Sequence, residues 1–193
     1  MPLDVVILGS PGAGKGTQAK KISAEIGIPH INTGDMFRAA AQAGTPLGKR
    51  VRPILDDGDL VPDDLTIALI KERLSEQDTS QGFLLDGFPR THAQAEALDR
   101  MLNEIDRGVS VVLHFQLPEE VVEQRLVKRA REEGRADDTP EKVRHRLDVY
   151  HAQTEPLVAY YRARGILVGI HADRTIEEVF TEVQSVLETA AAR

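Results

Sequence analysis

The chain has 193 residues, of which 41% are hydrophobic, 28% charged and 4% aromatic, with no Trp and no Cys. That length fits one compact core with modest insertions, and the composition excludes fibrous, collagenous and disordered classes. Lysine and arginine total 24 against 31 acids, a net charge of -7 that argues against a dedicated nucleic-acid partner, while the missing cysteines remove disulfides, thiolate zinc sites and a thiol nucleophile together.

Asp4 stands where a secretion signal wants a cation, and no run approaches the roughly 18 apolar residues of a membrane span. No membrane association and a cytoplasmic location are therefore expected. Residues 5–8 are a short apolar run that predicts the first buried strand. His30 and Ile31 are a weaker candidate of a few residues. Residues 34–76 are helical in pattern but hold no clear strand. Further apolar runs at 83–85, 109–117 and 166–170 predict strands, and the amphipathic stretches 91–105, 118–133 and 175–191 predict helices between and after them. This alternation predicts a five-stranded, mainly parallel sheet covered by helices on both faces, a three-layer α/β/α architecture.

Residues 139–164 carry Val143, Leu147, Tyr150, Leu157 and Tyr161 at spacings of three, four and seven, which marks one buried face of a long helix. Thr139 and Pro140 fit its N-cap and first turn, and Pro156 predicts a kink within it. The stretch 130–139 is a polar loop. The six histidines show no metal-ligand spacing, so structural or surface roles are expected for them.

Gly9-Ser10-Pro11-Gly12-Ala13-Gly14-Lys15-Gly16-Thr17 follows directly on the first strand and opens a helix. In that context glycines let several backbone N–H groups converge on phosphate oxygens, with Gly12, Ala13, Gly14, Gly16 and Thr17 forming the cradle and Lys15 adding a point charge. The hydroxyl comes one place later than in the strict G-x-x-x-x-G-K-[ST] pattern, so direct magnesium ligation by Thr17 is not expected. Asp86 ends an apolar strand, as does the acid that orients magnesium in phosphate-loop proteins, and contact through water is the expectation. No glutamate follows it, which disfavours a hydrolytic ATPase.

With these motifs stand Thr33-Gly34-Asp35-Met36-Phe37-Arg38, Gly58-Asp59-Leu60-Val61-Pro62, Asp86-Gly87-Phe88-Pro89-Arg90-Thr91 with Gln94, and Gly134-Arg135-Ala136-Asp137-Asp138. In this order, over nearly the whole chain, the set resembles the short-lid type of adenylate kinase, a branch of the nucleoside monophosphate kinases. The resemblance implies a single phosphate-loop kinase core over 1–193 with two mobile flaps: an AMP-binding flap at about 32–61 and a short ATP lid at about 129–139. The implied reaction is ATP plus AMP giving two ADP, with magnesium accompanying ATP and no zinc. A monomer is expected.

By the same resemblance Lys15 holds the ATP phosphates, and Arg38, Arg90 and Arg146 hold the AMP phosphate or the moving group. Arg129 and Arg135 match lid arginines, Arg129 on the ATP side and Arg135 toward AMP. Arginine suits these positions because its planar fork grips two oxygens and stays charged. Thr33, the backbone of Asp59, Leu60 and Val61, and Gln94 match the surroundings of the AMP adenine, and the turn Gly87, Phe88 and Pro89 matches further AMP-binding positions. Arg174 lies where the family packs a loop on the ATP adenine, and its guanidinium either stacks on the base or points outward. Arg125 and Arg131 read more simply as a solvated face. Rival readings are a UMP or CMP kinase and a nucleotide-binding module without turnover.

Overall fold

The computed structural model describes residues 2–118, 120–122, 124–126 and 139–192. Its sheet contains β1 (Leu3–Gly9), β2 (His30–Asn32), β3 (Gly82–Asp86), β4 (Val111–Gln116) and β5 (Leu167–His171), in the order β2-β3-β1-β4-β5 with every pairing parallel. β1 takes the centre because its sequence, LDVVILG, can be buried on both faces, and all seven residues are buried. The one charge in it, Asp4, is matched by Arg107, which forks onto both carboxylate oxygens and also donates to Thr79 O at 3.0 Å.

Alternate residues of β1 serve opposite layers, as the two-residue strand period requires. Leu3, Val5 and Ile7 pack with Ile22 of α1 (Lys15–Ile26) and with Val179 and Val183 of the C-terminal helix Ile176–Ala191. Val6 and Leu8 face Ile70, Leu98, Leu157 and Tyr161 on the other side. The expected three-layer sandwich is therefore present. Its register sets Asp86 beside both Ile7 and Asn32, so the ends of β1, β2 and β3 open on one crevice at the carboxyl edge of the sheet.

The inserted segment forms α2 (Thr33–Gln42), α3 (Pro46–Asp57) and α4 (Asp63–Leu74). Phe37, Val51 and Val61 give α2 and α3 a small core of their own, separate from the two sheet cores. The two helices cross at Gly48, where a Cβ would stand 2.0 Å from Ala40 O, so only glycine fits. Gly48→Ala is expected to cost about 1 to 3 kcal/mol by forcing the backbones apart. A urea titration checks this, and an unchanged midpoint would mean that the helices separate freely.

After β3 come α5 (His92–Asn103) and β4; residues 120–122 and 124–126 are helical. The long helix predicted over 139–164 is present as α6 (Pro140–Val149), a π-helical turn (Tyr150–Thr154) and α7 (Pro156–Arg162); α8 is Ile176–Ala191. Thr139 caps α6 as expected. The kink expected near Pro156 takes the form of a wide turn, with Glu155 N bonded to Tyr150 O five residues back at 2.9 Å. Pro156 has no N–H to offer, and a π turn absorbs the break without ending the helix. From that turn Thr154 Oγ1 donates to Arg90 O at 2.9 Å, tying the helix to the site.

Candidate active site

The chain leaves β1 at Gly9 and turns twice with positive φ, at Gly12 (80°) and Gly14 (83°), before α1 begins. A side chain at either position would be strained, so the glycines are required by the turn itself. Gly14 caps α1 without any side-chain acceptor, which leaves the first N–H groups of the helix facing the crevice. Lys15 reaches back over the loop, donating to Gly9 O and Ser10 O at 2.8 Å each. The loop and its surroundings line a cavity of about 900 Å³.

Asp86 faces this loop: a Cβ built on Gly16 would lie 3.7 Å from its Oδ2. Burial works to raise the Asp86 pKa, but the hydrogen bond from His30 and the charges of Lys15, His30 and Arg90 outweigh it and hold the carboxyl below its ordinary value. Oδ2 accepts from Asn32 Nδ2 at 2.7 Å and lies 3.3 Å from His30 Nε2. Asn32 has a second task, since its Oδ1 accepts from Asp35 N and caps α2. Neither His30 nor Asn32 is marked by sequence pattern as a site residue. Both point the same way from a three-residue strand, and only the pairing of β2 with β3 puts them on Asp86. A buried carboxylate held ionised opposite a phosphate loop, with Oδ2 engaged by these neighbours, is a donor suited to a hydrated magnesium ion.

Beside this lies a second cavity of about 380 Å³. Arg38, Arg90 and Arg146 line both cavities, so the three predicted arginines meet at their junction. Each is positioned differently. Arg38 is paired with Asp35 at 2.6 Å on its own helix, and Arg90 Nε donates to Gly87 O at 2.9 Å. Arg146 passes Gly58 so closely that a Cβ there would stand 2.8 Å from its Cγ. Next to it His145 Nε2 lies 2.5 Å from Asp59 Oδ1, and Lys142 Nζ donates to Asp56 O. These contacts join α6 to the last turn of α3 and the loop after it.

The base-reading candidates form a tight network. Thr33 Oγ1 donates to Gly87 O at 2.7 Å, and Gln94 is buried with Oε1 accepting from Arg90 N at 2.8 Å. Gln94 Nε2 donates to Asp63 Oδ1 at 2.7 Å, and Thr91 Oγ1 also bonds the Asp63 carboxylate. Nothing in the sequence marks Asp63 for this part, because an acid in a first helical turn ordinarily serves the helix dipole. Leu60, Gly87 and Pro89 line the larger cavity, whereas Phe88 and Val61 are buried in apolar clusters.

Arg125 differs from its expected solvated role. Its Nη2 donates to Ala172 O at 2.9 Å, and Nη1 comes within 3.7 Å of a Cβ built on Gly14, so it stands over the phosphate loop. Arg174 lines the same cavity but is held to His171 O and to Glu182 on α8. Arg129, Arg131 and Arg135, with the lid apart from Thr139, lie outside the described residues. Among the described residues no group of three or more His, Asp or Glu is placed to hold a metal on its own, and no helix is long and apolar enough to cross a membrane.

The family model described as adenylate kinase matches residues 7–166. An adenylate kinase of Thermobifida fusca is 50% identical over 187 residues, covering 97% of this chain and 99% of the relative. One from Thermus thermophilus is 50% identical over 183 residues, covering 95% and 96%. An adenylate kinase of Oceanobacillus iheyensis is 43% identical over 213 aligned positions, covering 96% of this chain and 99% of the relative. That alignment is longer than the chain itself, so the relative carries residues that this chain lacks.

Proposed function

Because the chain belongs to the adenylate kinase family, we propose that the family's reaction runs across its two joined cavities, with ATP on the phosphate loop and AMP over the acceptor arginines. The enzyme is a phosphotransferase with a phosphate group as acceptor, converting ATP and AMP into two ADP. One observation carries the assignment of places: Arg38, Arg90 and Arg146 line both cavities. A phosphoryl group passing from one nucleotide to the other crosses their common wall.

The chemistry asks little of an acid or base. A phosphate monoester has its second pKa near roughly 6, so the attacking oxygen of AMP is already ionised at neutral pH. What the site supplies is position and positive charge. Lys15 and the N–H groups of Gly12 to Thr17 hold the ATP phosphates, and the three arginines orient the acceptor and stabilise the charge that spreads in flight. Magnesium bound with ATP would supply further charge neutralisation, and Asp86, supported by Asn32 and His30, would hold it. Arg125 covers the ATP side of the loop, and Arg129 and Arg135 close over the reacting phosphates from the lid. Closure of that lid and of the flap at about 32–61 excludes water that would otherwise take the phosphoryl group.

Base choice rests on Thr33, on Gln94 and on the backbone of Asp59 to Val61. Thr33 Oγ1 gives its proton to Gly87 O and so meets a base only as an acceptor. An amine at the position of adenine N6 satisfies it; the carbonyl oxygen that uracil or guanine presents there does not. Gln94 keeps a second amide proton beyond its bond to Asp63 and offers that to a ring nitrogen. Cytosine also carries an amine, so CMP is the second reading. The enzyme acts as a cytoplasmic monomer on free nucleotides, with neither membrane nor nucleic acid involved.

The test is an acceptor panel of AMP, CMP, UMP, GMP and dTMP with ATP and magnesium, followed by chromatography, with ATP alone as control. Rapid ADP formation that requires AMP, reaches one equilibrium from either side and releases no inorganic phosphate is the expected result. Preference for CMP would overturn the base assignment alone, and absence of turnover with every acceptor would favour a binding module.

A further inference from the structure

The smaller cavity contains one cation that the family's motif set does not include. Arg52, on α3, lines it together with Arg38, Arg90 and Arg146. Its place is fixed by the packing of the flap. Val51 is fully buried in the core shared with Phe37 and Val61, which sets the rotation of α3 about its axis. Gly48, one turn earlier, locks α3 against Ala40 of α2. Arg52, Leu55 and Asp56, at spacings of three and four, then share the face that looks into the cavity, across from Arg38 and Gln42 on α2.

Arg52 is set apart from its neighbours by what it lacks. Arg38 has Asp35 and Arg90 has Gly87 O, but Arg52 makes no hydrogen bond or ion pair with any described residue. Its guanidinium keeps its full donor capacity for whatever enters. The charges among the described lining residues point to the same visitor. Four arginines line it, Arg38 paired with Asp35 on its own helix, and the carboxylate of Asp59 is engaged by His145. A wall so rich in guanidinium groups suits a phosphate monoester, which carries about -1.5 to -2 at neutral pH.

We propose that Arg52 is a fourth phosphate-binding arginine of the acceptor site, drawing in and holding the monophosphate of the incoming nucleotide. The inference rests on the acceptor-site reading above. Arg52 lies on the flap and not at the junction of the two cavities, so it acts on capture of the monophosphate and not on the transfer step. It raises affinity for nucleoside monophosphates equally whatever the base, and leaves ATP untouched.

Calorimetric titration of Arg52→Ala with AMP and with adenosine, in the absence of ATP, tests this directly. AMP affinity is expected to fall roughly fivefold to twentyfold with adenosine affinity unchanged, because a charge-assisted bond to phosphate is lost while the base pocket stays intact. In steady state KM for AMP rises by a similar factor, with kcat and KM for ATP within about twofold of the parent. The gap narrows at high salt, and Arg52→Lys recovers most of the loss. AMP affinity unchanged in a folded Arg52→Ala protein would overturn the proposal. An equal fall for adenosine would overturn it too, since the defect would then lie in the shape of the flap. If the parent protein binds CMP or UMP in preference to AMP, the base assignment fails and not Arg52; the same comparison, made with that nucleotide and its nucleoside, then decides whether the arginine holds the phosphate.

Discussion

Arg90→Ala is expected to slow turnover by roughly three to five orders of magnitude, the range over which an arginine stabilises a phosphoryl group in flight. The effect should fall mainly on kcat, because Arg90 stands at the junction of the two cavities, where charge spreads only as the group moves. Stability should barely change. The bond from its Nε to Gly87 O is worth about 1 kcal/mol, or a shift of about 2 to 4 °C in the midpoint of a chain of this size. The backbone bonds at this position, Thr154 Oγ1 to Arg90 O and Arg90 N to Gln94 Oε1, survive the substitution. Stopped or quenched-flow measurement of ADP formation, set beside a thermal melt, separates the two effects. A full-speed Arg90→Ala enzyme would remove the junction from the mechanism.

The second large effect is expected at Lys15, where alanine should lower kcat by roughly 10² to 10³ and also weaken ATP binding, while AMP binding stays as it was. The asymmetry follows from place. Lys15 folds over the mouth of the phosphate loop, bonded to Gly9 O and Ser10 O at 2.8 Å, and lines only the larger cavity. Its ammonium is a compact charge able to exchange those two carbonyls for phosphate oxygens when ATP arrives. Arginine is not expected to replace it, since the planar fork is too large for a loop closed by its own backbone. Nucleotide titrations with ATP and AMP, each alone, check the split. Retention of both rate and ATP affinity in Lys15→Ala would detach the loop from the chemistry.

Much of this candidate site is legible in the sequence alone, because its parts are local. Gly12, Gly14 and Lys15 belong to a turn only a few residues long, and a string that encodes a turn can be recognised as a string. The strands and helices are likewise readable from apolar period, and Pro156 marks the break that becomes the π turn. His30 and Asn32 are not legible: their spacing of two says that they share a face but not which strand they meet. Asp63 and Thr154 are hidden for the same reason, since their partners, Gln94 and Arg90, lie 31 and 64 residues away. Arg125 reads as part of a solvated face, as most helical arginines do, yet stands over the phosphate loop because that helix packs through Val122 and Leu126 against Val143 and Leu147.

The amino-acid sequence by itself determined the α/β class, the phosphate loop, the family and which arginines are candidates, all of which depend on residue type and on neighbours close in the chain. Only the tertiary structure decided which cations converge. Arg38, Arg90 and Arg146 belong to three separate segments, and sheet order, the glycine crossing at Gly48 and the π turn bring them to one wall. Only the same packing turned Arg52 toward them. The reason is physical: chain-local chemistry is encoded by sequence spacing, whereas the convergence of distant charges is set by which apolar faces bury one another, a property of the whole folded chain.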